Sequence, residues 1–166
     1  MSKIPTNEIR PYFAYASNLL LAQIQIRCPD YKVLGTASLG NYRVVCNKKA
    51  SNGFDFYAGI IKSPGEEVFG ALYQLTANDL ARLDKSEGCY DGTAHYYRDE
   101  NAFYVKDRST GELVNAFTYF VAKPVTPQKP TTEYAKKIFQ GCRDHRLPKA
   151  YEDKLRRWFL MEPETP

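Results

Sequence analysis

A chain of 166 residues that is 43% hydrophobic and 14% aromatic can build one domain with a proper core, taken here as 1–166 with the core over about 11–159. No apolar run approaches the roughly 20 residues of a membrane-spanning helix, and the first residues lack the basic, apolar and small-residue order of a secretory signal, so the expected location is the cytoplasm. The formal charge of +4, from 23 basic and 19 acidic residues, does not demand a polyanionic partner.

Residues 11 to 17, PYFAYAS, favour a strand, and Ser17 and Asn18 stand directly before LLLAQIQI, which favours a helix. Residues 31 to 48 read as β with bends at Gly35 and Gly40, and 48 to 53 as a loop. FYAGIIK and VFGALYQL read as two antiparallel strands joined by a Ser63-Pro64-Gly65 turn. Thr76 is placed to cap a helix in which Leu80 and Leu83 share a face, and Gly88 marks its end beside Glu87. HYYRDENAFYVK (95–106) and LVNAFTYFVA (113–122) read as a second hairpin about Ser109-Thr110-Gly111. After a Pro-rich connection from Pro124 to Pro130, Thr131 and Thr132 can cap EYAKKIFQGCRDH, and Pro148 opens a last helix ending near Phe159. Hairpins interleaved with helices imply an α+β domain in which a curved sheet or partial barrel carries the site.

The basic residues concentrate near the carboxyl end but alternate with acids. Pairs such as Glu152 with Arg156 and Asp153 with Arg157 predict a solvated helical face in preference to a nucleic-acid stripe. Cys28, Cys46, Cys89 and Cys142 are widely spaced and contain no C-x-x-C pair, so reduced structural thiols are expected. His95 and His145 have no second histidine or cysteine at ligand spacing, and neither a metal nor a cofactor is expected.

The familiar catalytic motifs are missing: there is no G-x-S-x-G elbow, phosphate-binding loop, dinucleotide fingerprint or H-E-x-x-H. Two features remain. The turn in YFAYASNLL can aim backbone N–H groups and the Ser17 hydroxyl at an anion, although Ser-Asn before a helix is ordinarily a cap. Glu87, in LDKSEG, is by itself an ordinary charged helix residue, but Gly88 leaves room beside it and Cys89-Tyr90 could lower the local polarity and raise its pKa.

Taken in order, YFAYASNLL, SPGEEVFGALY, LDKSEG, HYYR and EYAKKIFQGCRDHRLPKAYEDKL resemble the γ-glutamylcyclotransferase family over nearly the whole chain, and the last segment is similar to the animal-type enzymes. The resemblance implies a barrel-like mixed fold and conversion of γ-glutamyl amino acids to 5-oxoproline. It implies Glu87 as the acid/base, Tyr12, Phe13, Ala14, Tyr15, Ala16 and Ser17 as the substrate-cradling loop, and Tyr134 as a further binding residue. The implied partner is a small γ-glutamyl molecule, with no nucleic acid and no membrane, and a homodimer is left open. The chain departs from the family's Y-G-S-N at Ala16, where a methyl group is costly if φ is positive and harmless if it is negative. Two other readings stay open: a ligand-binding module in which Ala16 has ended turnover, and a basic carboxyl-terminal surface that binds nucleic acid.

Overall fold

The computed structural model describes residues 9–89, 95–99 and 101–162. In chain order the first half comprises β1 (Tyr12–Ala14), a 3₁₀ turn (Ser17–Leu19), α1 (Leu21–Arg27), β2 (Lys32–Lys49), β3 (Phe56–Gln74) and α2 (Ala77–Ser86). The second half comprises β4 (Tyr96–Arg98), β5 (Phe103–Asp107), β6 (Leu113–Ala116), β7 (Tyr119–Val121), α3 (Thr132–Asp144) and α4 (Lys149–Trp158). This is an α+β protein with a curved antiparallel sheet.

Its frame is one long ribbon, β2 against β3, running from Lys32 opposite Gln74 to Lys49 opposite Phe56. The hairpin expected about Ser63-Pro64-Gly65 is therefore absent, since FYAGIIK and VFGALYQL both pair with β2 and not with each other. The register passes from Gly40–Glu67 to Tyr42–Lys62, so residues 63–66 are pushed out of the ladder opposite Asn41 alone. The sequence explains the outcome. Pro64 has no N–H to give the ladder, and Asn41 (φ 65°) and Gly65 (φ 84°) take the left-handed conformations that the kink requires. Gly65 N donates to Asn41 Oδ1 at 3.1 Å, locking the kink.

The main sheet runs β1-β3-β2-β5-β6, and β4 pairs with β7 in a separate two-stranded sheet. The Ser109-Thr110-Gly111 turn joins β5 to β6 as expected, with Asp107 Oδ1 accepting from both Ser109 N and Thr110 N. The expected single strand 95–106 is divided between two sheets. Closure into a barrel is not reached. The chain after β6 returns to β1 through the isolated Tyr12–Phe117 bridge, made by Phe13 N to Phe117 O at 2.8 Å and Phe117 N to Pro11 O at 2.9 Å.

Local helix signals act where expected. Thr76 caps α2 through Asp79 N, Gly88 follows its last turn at φ 71°, Thr131 caps α3 through Tyr134 N, and Pro148 precedes α4. The start of α1 differs. Ser17 and Asn18 belong to the 3₁₀ turn, α1 begins at Leu21, and its first amide is capped from α3 by Asp144 Oδ2 at 3.0 Å.

The carboxyl-terminal ion pairs also differ from expectation. Glu152 is buried and faces Arg143 at 3.2 Å and Lys149 at 3.4 Å, Asp153 reaches Lys149, and Arg156 lies over the Phe139 ring. Glu152 thus meets one cation from α3 and one from its own helix, and Asp153 shares that second cation across one turn of α4. Phe13, Leu19, Ile24, Tyr73, Ile138, Leu155 and Phe159 are fully or almost fully buried and place the core between the curved sheet and the helices.

Candidate active site

The site forms where the end of β1, the end of α2, the β2–β3 ribbon and the start of α3 meet. Asn18 is its hub. The side chain is 3% exposed and uses every hydrogen-bonding position: Nδ2 donates to Tyr12 Oη (2.9 Å) and Glu87 Oε1 (3.2 Å), while Oδ1 accepts from Gln23 Nε2 and Arg27 Nη1, both at 3.0 Å. A 3₁₀ turn is what points it inward.

Packing beneath the turn holds it there. A Cβ at Gly141 of α3 would lie 2.4 Å from Leu19 Cβ and 2.7 Å from the Leu20 nitrogen, so only glycine lets α3 approach this closely. Tyr73 Oη donates to Asn18 O at 2.8 Å, and His145 Nε2 lies 2.9 Å from both Leu19 O and Tyr73 Oη. Because Leu19 O can only accept, Nε2 carries the proton, and burial lowers the histidine pKa so that the neutral ring is favoured.

Glu87 is the C-cap of α2, and its side chain is 14% exposed. Burial raises its pKa above the ordinary glutamate value; the Arg27 guanidinium at 3.9 Å, the Asn18 hydrogen bond and Lys48 oppose the rise, and Asp84 adds to it. Gly88 leaves no room for a side chain, since a Cβ there would meet His95 Cδ2 at 2.6 Å. Tyr90, expected to lower the polarity here, lies outside the described residues.

Two neighbouring chambers share Glu87, Ser17, Tyr96 and Tyr134 in their walls. The inner one, of about 40 Å³, is walled by Tyr12, Tyr15, Tyr96, Tyr119 and Tyr134 together with Ala16 and Asn18. Burial raises the pKa of all five phenols, so they act as neutral hydrogen-bonding groups. Tyr15 donates to Tyr119 O, Tyr96 to Ala58 O and Tyr119 to Asp84 Oδ1. Tyr12 accepts from Asn18 and Tyr134 accepts from Ala58 N at 3.1 Å; among the described residues neither finds an acceptor for its own proton. The outer chamber, of about 550 Å³, is wider and more polar.

Of the residues singled out in the sequence, Glu87, Ser17 and Tyr134 line both chambers, and Tyr12, Tyr15 and Ala16 line the inner one. Phe13 and Ala14 are instead fully buried in the core, with Ala14 opposite Ala71 in the sheet. Ala16 has φ −125°, so its methyl group meets no left-handed strain. Sequence reasoning did not single out Gln23, Arg27, Lys48, Tyr96 or Tyr119, and it treated Asn18 as a helix cap. Among the described residues no group of three His, Cys, Asp or Glu side chains converges as a metal site would need. The four cysteines are free, and burial lifts each thiol to about 12, which leaves them unreactive.

A curved sheet that holds a sequestered glutamate against a strand-to-3₁₀ turn is a γ-glutamyl cyclotransferase-like architecture. A solved structure described as γ-glutamyl cyclotransferase matches with a TM-score of 0.79 at 26% identity, covering 93% of this chain and 89% of that one. The chain belongs to the AIG2-like family, whose model matches residues 67–155. The γ-glutamylcyclotransferase of Homo sapiens is 28% identical over 156 residues, 92% of this chain and 80% of the human protein. That of Mus musculus is 28% identical over 152 residues, 87% and 76% of the two chains. The crystal structure of YkqA from Bacillus subtilis shares the fold at 23% identity and a TM-score of 0.75, covering 96% of this chain and 57% of that one.

Proposed function

We propose that this protein is a γ-glutamylcyclotransferase that converts γ-glutamyl amino acids to 5-oxoproline and the free amino acid, with Glu87 moving the proton. The observation that carries the reading is the position of Glu87: it lies in the wall common to both chambers, hydrogen-bonded to the turn by Asn18. The similarity to named cyclotransferases supports the same reading.

The reaction needs little from the protein beyond geometry and one proton relay. The nucleophile is the substrate's own α-amine, and intramolecular ring closure gains an effective concentration that can reach about 10⁵ M or more when the reacting atoms are held together. Ionised Glu87 accepts a proton from the α-ammonium group. The α-nitrogen then bonds to the carbonyl carbon of the γ-glutamyl amide, whose oxygen takes up the electron pair. When that pair returns, the bond from this carbonyl carbon to the departing nitrogen breaks as Glu87 gives that nitrogen its proton; the carboxylate then takes the second proton shed by the ring nitrogen and passes it to the freed amine, which leaves as its ammonium. No water is consumed.

The oxygen that gains charge needs donors, and several face the inner chamber. The amides of Ser17 and Asn18, at the start of the 3₁₀ turn, have no partner within it, and the Tyr12 and Tyr134 hydroxyls have protons to give. Equimolar 5-oxoproline and alanine from γ-glutamyl-alanine would support the assignment, and neither product from a folded sample would sink it.

The geometry of Ala16 argues against a turnover-dead binding module. Because its φ is negative, Ala16→Gly is expected to lower stability by about 0.4–1 kcal/mol through the looser unfolded chain, without raising kcat/KM. Urea unfolding and a 5-oxoproline assay check both halves. A large gain of turnover in the glycine variant would restore the binding-module reading. The same proposal places one domain in the cytoplasm, where four free thiols persist. Among the described residues no helix is long and apolar enough to cross a membrane.

A further inference from the structure

The outer chamber has a charge that ring closure does not use. Arg27 is committed to Asn18 and Glu87, but Lys48 from β2, Lys85 from α2 and Lys137 from α3 also line it, and Glu87 is the only carboxylate in its described wall. Among the described residues none of the three lysines pairs with a carboxylate. Lys48 is the telling one, because it is 7% exposed and, among the described residues, its ammonium meets the Lys49 carbonyl at 3.3 Å and the Tyr57 ring at 5.9 Å and feels Glu87 only at longer range than an ion pair. A largely buried ammonium that shares its one nearby carboxylate, Glu87, with Arg27 is costly unless a further anion comes to it. Three lysines from three separate elements therefore converge on one cavity, which a single helical face would not produce.

The chamber's place in the reaction identifies the anion. With the γ-glutamyl half engaged by Glu87 and the neutral, tyrosine-walled inner chamber, the departing half extends into the wider outer one. We infer that the leaving group is an acidic amino acid or peptide, carrying a side-chain carboxylate beyond its α-carboxylate, and that Lys48, Lys85 and Lys137 select it. This rests on the cyclotransferase reading. A neutral amine would leave all three cations unused, and a basic side chain would be repelled.

The experiment is a series of γ-glutamyl-glutamate, γ-glutamyl-aspartate, γ-glutamyl-alanine, γ-glutamyl-lysine and γ-glutamyl-ethylamide, assayed for 5-oxoproline at low and high salt. The acidic members are expected to exceed the alanine compound by about tenfold in kcat/KM, with the lysine and ethylamide compounds below it, and salt should narrow the spread. Lys48→Gln should reduce the glutamate-to-alanine ratio severalfold, and the exposed pair Lys85→Gln with Lys137→Gln gives a second test that does not disturb a buried position. Turnover with a flat series, or ratios that survive all three substitutions, would overturn this inference and leave the cyclotransferase reading standing. No 5-oxoproline from any member would overturn both.

Discussion

Glu87→Gln is expected to lower kcat/KM for γ-glutamyl substrates by about 10²–10⁴-fold, the usual worth of a positioned acid/base group. Glutamine keeps the shape and can still accept the Asn18 hydrogen bond, so the loss should report proton transfer and not collapse of the turn. In the parent protein, kcat/KM should rise with pH through the carboxyl's titration, at a pH above the ordinary glutamate range because burial holds the proton on. The stability consequence has the opposite sense. With a folded-state pKa above the unfolded one, native Glu87 retains its proton where the unfolded chain has released it, so its contribution weakens as pH rises from the unfolded value through the folded one. The glutamine variant should therefore be at least as resistant to urea as the parent at pH 7, and that advantage should vanish below the unfolded pKa. A variant that is active at the parental rate, or clearly less stable at neutral pH, would contradict this account.

The second large effect is structural. Asp84, in the last turn of α2, is 1% exposed, and Arg98 of β4 grips both its oxygens at 2.7 and 2.8 Å while Tyr119 donates at 2.6 Å. Arg98→Ala removes the bidentate cation and leaves the carboxylate buried, so a loss of about 3–5 kcal/mol in urea unfolding is expected. Replacing Asp84 with Leu and Arg98 with Met together should cost less than the single alanine change, because no charge is then stranded. A loss below about 1 kcal/mol for Arg98→Ala would mean that Asp84 is neutralised by other means. The contact matters to the site because Asp84 lies three residues before Glu87 and Tyr119 walls the inner chamber.

Features governed by one or two neighbouring residues were legible in the sequence. Thr76 and Thr131 as caps, Gly88 as a stop and the 109–111 turn all depend on chemistry within a few positions. Ser63-Pro64-Gly65 was misleading because the same residues suit either a turn or a strand bulge, and the choice lies with Asn41 on the partner strand. The start of α1 was misplaced for a similar reason, its cap being Asp144 on another helix. In the site, Glu87 gained meaning only beside the turn. Lys48 read as part of a loop-bound lysine pair, and nothing local to it indicates burial at a cavity wall.

The clamp that α3 places on the turn has a consequence for the order in which the enzyme is made. Leu21 and Leu19 are held by Asp144 and His145, partners 123 and 126 residues further along the chain. Synthesis proceeds from the amino terminus, so the cradle emerges well before the residues that set its shape. The nascent protein can pair its long ribbon while α3 is still unmade, yet it has no formed pocket to bind or turn over a metabolite until that helix docks.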